Sequence, residues 1–107
     1  MNEQEELINE ITGTFALQRV SHSTEELFRS LTDKINDLIN TDFNQLIRVL
    51  YRIDVSEARL KFLLKENKDT DAAKIIAQLI IERQLRKIKF RRENQQRDNQ
   101  IDEEEKW

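Results

Sequence analysis

The chain has 107 residues, a single glycine, no cysteine and no proline, and its formal net charge is −3. The absence of cysteine excludes disulfides and thiolate chemistry, and the scarcity of turn-forming residues argues against sheets and long loops. With 36% charged and 37% hydrophobic residues, the composition predicts one all-α domain, a small bundle of four to five helices joined by short turns. No apolar run is long enough to span a membrane, and we expect a cytoplasmic protein.

The first two predicted helices have recognisable starting points. Acidic residues at the start and apolar residues at helical spacing predict a first helix from Asn2 to Ile11. Residues 12–22 fit either a continuation of this helix or a loop. Ser23 and Glu26 then match the capping box, in which each side chain bonds a backbone amide of the other residue. This pattern predicts a second helix from about Thr24 to Ile39.

Short polar segments divide the rest of the chain into three further predicted helices. Thr41 or Asp42 is expected to cap the third helix, whose buried side would comprise Phe43, Leu46, Ile47 and Leu50. Asp54 resembles the cap of a fourth helix. Asp69 or Thr70 is expected to cap the last helix, which should reach at least Lys89.

The segment 72–92 has an apolar half followed by a basic half. Residues 72–81 are almost wholly apolar, so this helix must be surrounded by its own chain or by a partner chain. In so small a domain, one face would be covered by a second copy in an antiparallel homodimer, or by another helical protein. The candidate residues for self-association are Ile75, Ile76, Leu79, Ile80 and Ile81.

Charge is strongly segregated along the sequence. Residues 1–47 carry a net charge of −6, residues 48–97 carry +7, and residues 98–107 carry −4. We expect mainly internal neutralisation of the basic half, because an acidic protein is a poor general polyanion binder. The alternative is an electropositive face for an anionic partner. Its candidate residues are Arg83, Arg86, Lys87, Lys89, Arg91, Arg92 and Arg97.

Residues 93–107 form the second unit of the predicted domain organisation, after a bundle over residues 1–92. They contain one aliphatic and one aromatic residue, too few to offset the entropy of ordering, and we expect a disordered or frayed charged tail. A further hypothesis is that its acids fold back on the basic block as an intramolecular decoy that weakens anion binding. Deleting residues 98–107 would then raise affinity for anionic ligands at low salt.

Residues for catalysis and for cofactors are scarce. The one histidine, His22, excludes a two-histidine zinc site and is expected to be a solvated turn residue. A lone glycine, Gly13, cannot build a phosphate-binding loop. We therefore predict no enzyme, no metal and no cofactor. The favoured function is a protein–protein interaction or self-association module, and the alternative is a nucleic-acid-binding regulator that uses the basic end of the last helix.

Overall fold

Five α-helices make up the fold, and the described part of the chain contains no strand. The computed structural model describes the backbone of residues 2–17 and 21–105, and within these ranges the side chains as far as Asn94. The predicted all-α bundle with short turns is confirmed. The helices are α1 (Glu3–Thr14), α2 (Thr24–Thr41), α3 (Phe43–Ile53), α4 (Glu57–Glu66) and α5 (Ala72–Glu105).

Side-chain caps define the starts of the first four helices. In each case an oxygen of the capping residue accepts a hydrogen bond from the backbone N–H three residues later, which satisfies an otherwise unpaired donor. The capping oxygen at α2 belongs to Ser23, as predicted, but the carboxylate of Glu26 accepts from the N–H of His22 rather than of Ser23. The four caps are Asn2, Ser23, Asp42 and Ser56.

Two predicted caps lie elsewhere in the structure. Asp54 does not begin α4 but ends α3, with a left-handed backbone at φ 67°, and Ser56 caps α4 instead. The expected cap of the last helix at Asp69 or Thr70 is also wrong. Asp71 takes this role, because its side chain accepts from the N–H of Ala73 at 3.1 Å. Both corrections move the start of a helix by two residues or fewer.

The position of the α5 cap can be tested by a pair of alanine variants. We expect Asp71→Ala to lower the free energy of unfolding by about 1 kcal/mol, the usual cost of removing an aspartate cap. Asp69→Ala removes the same charge from an exposed turn residue and should change stability by no more than about 0.5 kcal/mol. Urea denaturation followed by circular dichroism measures both values. Equal losses in the two variants would contradict the assignment.

Helix α5 is the centre of the fold, as its apolar first half predicts. It packs against each of the other four helices, most extensively against α2 and α1. Burial of large apolar side chains at these contacts is the main stabilising contribution. The largest fully buried side chains are Ile11, Leu27, Leu31, Ile35, Leu46, Ile80 and Ile88.

The segment after α1 is a turn as far as the structure describes it. Helix α1 ends at Thr14, Phe15 is buried, and Ala16 adopts a positive φ of 52°. The sequence leaves residues 12–22 open between helix and loop. Residues 18–20 of this range lie outside the described residues. Phe15 nevertheless continues the apolar stripe of α1, because it belongs to the same core cluster as Leu7, Ile8 and Ile11.

The predicted buried side of α3 is only partly correct. Leu46 and Leu50 are buried, but Phe43 is 54% exposed and Ile47 is half-buried. Phe43 is the first residue of the helix, directly after the Asp42 cap. Helix α5 continues to Glu105. The disordered or frayed tail expected over residues 93–107 stays a prediction, because the side chains after Asn94 lie outside the described residues.

Candidate protein-interaction surface

Helix α4 leaves its large apolar side chains only partly covered: Phe62 is exposed, and the other three are half-buried. Four of its ten residues are large and apolar, and none of the ten is buried. A helix with this composition normally hides one side against its own protein. The four residues are Leu60, Phe62, Leu63 and Leu64, of which Phe62 is 60% exposed.

Helices α3 and α4 enclose an apolar groove. We define the α3–α4 groove by its apolar lining residues, and its volume is about 520 Å³. Tyr51 stands on the α3 side with 75% of its surface exposed. Apolar surface gathered in one concave site is typical of places where another molecule binds. The apolar lining residues are Ile47, Leu50, Tyr51, Val55, Leu60 and Leu64.

Polar contacts with α5 hold the corner between the two helices. The left-handed Asp54 turns the chain after α3, and its carboxylate pairs with Arg83 of α5 at 3.4 Å. Arg59 of α4 pairs with Glu82 of α5 at 3.1 Å. These ion pairs are partly exposed and individually weak. Together with the packing of α3 and α4 against α5, they make the groove part of the folded bundle.

The charged residues in the lining of the groove are Asp54, Glu57 and Lys61. Lys61 pairs with Glu57 at 3.1 Å, but about 70% of each side chain is exposed, so water readily replaces this bond. Lys65 and Arg48 follow the lining residues Leu64 and Ile47 in the sequence but are not themselves part of the lining. Neither Lys65 nor Arg48 has an acidic partner among the described residues. The groove therefore combines an apolar interior with charged residues of both signs in its lining.

The predicted basic residues of α5 do not form one surface. Arg91 and Arg92 pair with Glu10 and Glu6 of α1, the latter at 3.1 Å, and Arg83 pairs with Asp54. The acids of the first helix thus neutralise the end of the basic block, as the internal interpretation of the charge pattern predicts.

Arg86, Lys87 and Lys89 form no ion pair with an acid in the described part of the chain. Arg86 and Lys89 are exposed, and Lys87 is half-buried. The side chain of Arg97 lies outside the described residues. A cleft of about 290 Å³ between α4 and α5 brings Arg59, Arg83 and Arg86 together, but Glu82 and Asp54 pair with two of them.

The candidate self-association residues are mainly core residues of the single chain. Four of them are at least 92% buried without any second copy, because the other helices of the same chain surround them. In the single chain these four side chains are therefore covered, and their role in self-association stays a prediction. Ile81 is half-buried and lines a shallow groove of about 400 Å³ with Phe28. The four buried residues are Ile75, Ile76, Leu79 and Ile80.

Side chains suited to binding a metal ion or to catalysis are few among the described residues. His22 is exposed beside a polar pocket of about 450 Å³ at the start of α1. No three histidine, aspartate or glutamate side chains of the described part come together in a way that could hold a metal ion. Over the same residues, no helix is long and apolar enough to cross a membrane.

The fold and this surface define a small all-α bundle with an exposed apolar groove. Comparisons of the chain with protein-family models, with curated proteins and with solved structures find no match. The sequence analysis missed the groove because it assigned the apolar residues of α3 to the buried side of that helix and drew no conclusion from those of α4. The available signal was the distribution of apolar residues on α4, which occupy positions 58, 60, 62, 63 and 64 and so spread around the helix.

Proposed function

We propose that this chain is a non-enzymatic interaction protein that binds a helical or extended segment of another protein chain in the α3–α4 groove. The observation that supports the proposal is α4, a helix with four large apolar residues and no buried one. Covering the groove would remove apolar surface from water, at about 25 cal/mol for each Å². Aromatic and aliphatic anchors of this kind dominate the affinity of protein interfaces.

Site-specific photo-crosslinking in cells tests this proposal. The photoreactive residue p-benzoylphenylalanine replaces Tyr51, which is aromatic, exposed and part of the groove lining. We expect discrete crosslinked products, and we expect Leu64→Glu in the same chain to abolish them by placing a charge in the groove. Leu64 is only half-buried, so this change should leave the bundle folded.

The matched control places the same photoreactive residue at Asp33, an exposed position of α2. The products from position 51 should be absent from position 33. Identical products from both positions, or none from position 51, would overturn the proposal. The mass of each product also separates a second copy of this chain from a different protein.

Nucleic-acid binding has less support. Three cations of the predicted patch are already paired with acids of the same chain, which reduces the charge available to phosphates. Binding of double-stranded DNA or RNA that falls steeply with salt, and that disappears in an Arg86→Gln, Lys89→Gln variant, would favour that alternative over the groove.

A further inference from the structure

We propose that the segment filling the α3–α4 groove is an amphipathic helix of another protein, and that an acidic side chain at one end of this helix binds in the cleft between α4 and α5. The inference rests on the proposed function, because it gives the partner of the same groove a conformation and a charge. The conformation follows from the helical walls of the groove. The charge follows from the arginines of the cleft, which outnumber its acids.

The walls of the groove favour a helical occupant over an extended one. The apolar lining residues lie on α3 and α4, except Val55 in the turn between them, whose N–H donates to the carbonyl of Leu50 at 3.2 Å. No strand in the described part of the chain offers an edge to which an extended segment could hydrogen-bond. An extended segment would therefore bury unpaired backbone groups, whereas a helix pairs its own.

The apolar residues of the groove are spaced to receive such a helix. Ile47 and Tyr51 lie one turn apart on α3, and Leu60 and Leu64 lie one turn apart on α4. Phe43, which is 54% exposed, lies one turn before Ile47 and extends the row on α3. Rows of residues four apart form the ridges between which the side chains of a packed helix fit. We therefore expect apolar residues three or four positions apart in the partner helix, over about two turns.

The cleft continues the groove at the corner between α3 and α4. The two sites share three lining residues, Asp54, Val55 and Ser56. The cleft has a volume of about 290 Å³ and lies on the side of this corner that faces α5, which contributes Arg83 and Arg86 to its lining. A helix whose apolar side occupies the groove can therefore place a residue at its end within reach of side chains from α5.

Positive charge is in excess in the cleft. Arg83 pairs with Asp54 at 3.4 Å, and Arg59 pairs with Glu82 at 3.1 Å, so both acids of the lining already have a cationic partner. Arg86, the third arginine, is exposed and pairs with no acid among the described residues. The Nε–H of Arg83 is also shielded from water and has no acceptor in the described part of the chain.

A carboxylate is the group that these arginines are suited to bind. A guanidinium binds a carboxylate through two parallel N–H···O bonds, which are stronger than hydrogen bonds between neutral groups. The charged residues of the groove itself, Asp54, Glu57 and Lys61, have mixed signs and give no such preference. We therefore expect the acid of the partner at the end of its apolar stripe, beside Arg86, and not within the stripe.

Selection of phage-displayed peptides on the whole folded chain tests this inference. The probe is a library of random peptides of about 16 residues, long enough for about four helical turns. We expect enriched peptides with apolar residues three or four positions apart and an aspartate or glutamate beyond one end of this stripe. Leu64→Glu should abolish the enrichment, because it places a charge in the groove.

Arg86→Glu tests the acidic contact. A peptide synthesised from an enriched sequence should bind this variant about tenfold or more weakly than wild type, and replacing its acid with glutamine should remove the difference. The control is Lys74→Glu, which makes the same change of charge at a residue of α5 that lines neither the groove nor the cleft. It should bind the peptide as wild type does. Both residues are exposed, so both variants should keep the helical circular-dichroism signal.

A proline in the middle of the peptide tests the conformation of the occupant. It should prevent binding, because proline breaks a helix. Fluorescence anisotropy of the labelled peptides measures all of these affinities.

Three results would overturn the inference and leave the proposed function in place. They are enriched peptides without a preference for an acid, equal binding by wild type and Arg86→Glu, and binding that tolerates the proline. A solution mass that doubles, and that Leu64→Glu returns to the monomer, would identify the occupant as a second copy and also reject this partner. No enrichment at all would reject the inference, and if position 51 also gives no crosslink, the proposed function is rejected with it.

Discussion

Replacing Ile80 with alanine lowers the free energy of unfolding by about 2–5 kcal/mol. Ile80 is fully buried in the middle of the core cluster, on the helix that contacts all the others. The substitution removes three buried carbon atoms and leaves a cavity, since neighbouring helices relax only partly. This loss is a large fraction of the stability of a small domain.

Urea denaturation at concentrations where the chain is monomeric measures this effect. The control is Phe62→Ala, which removes a larger side chain from a position that is 60% exposed. We expect the control to lose less than about 1 kcal/mol. A loss for Phe62→Ala as large as that for Ile80→Ala would show that α4 is covered within the monomer, and that the core is not where we place it.

Replacing Ala77 with leucine should destabilise the bundle by about 1–3 kcal/mol, through the opposite mechanism. Ala73 and Ala77 lie one turn apart on α5, and both are fully buried in the core cluster. Because protein interiors are close-packed, we expect the added carbon atoms to force neighbouring side chains out of their preferred rotamers.

The matched control for this change is Ala72→Leu, which makes the same substitution at an exposed position of the same helix. It should alter stability by no more than about 0.5 kcal/mol. Thermal and urea unfolding of the two variants give the comparison. Equal stability of Ala77→Leu and wild type would mean that α5 packs loosely at this point and that Ala77 is not a close contact.

The sequence predicts the helices well because their signals are local. Apolar spacing and a polar residue at each break are read within a few positions, and the caps at Ser23 and Asp42 follow from them. The choice between two neighbouring candidate caps does not follow from these local signals. Asp54 and Ser56 both suit a cap, and the backbone conformation at Asp54, which depends on packing of the corner against α5, decides between them.

The candidate site was much harder to predict because it depends on which surfaces the fold leaves uncovered. The apolar half of α5 indicates a helix that must be surrounded, but it does not say whether the same chain or a partner surrounds it. The structure buries Ile75, Ile76 and Leu79 in the single chain and leaves Tyr51 and Phe62 exposed instead. The uncovered surface thus moves from α5 to α3 and α4.

The contact of α1 with the end of the α5 core has a consequence for biosynthesis. Glu10 pairs with Arg91, a residue 81 positions later. The ribosome therefore releases the first helix long before its packing partner exists, and the apolar stripe of Leu7, Ile8 and Ile11 stays without its final cover during most of translation. Contacts this distant in sequence form late and slow folding. We therefore expect docking of α1 onto the bundle to be among the last steps of folding, after α5 has been synthesised.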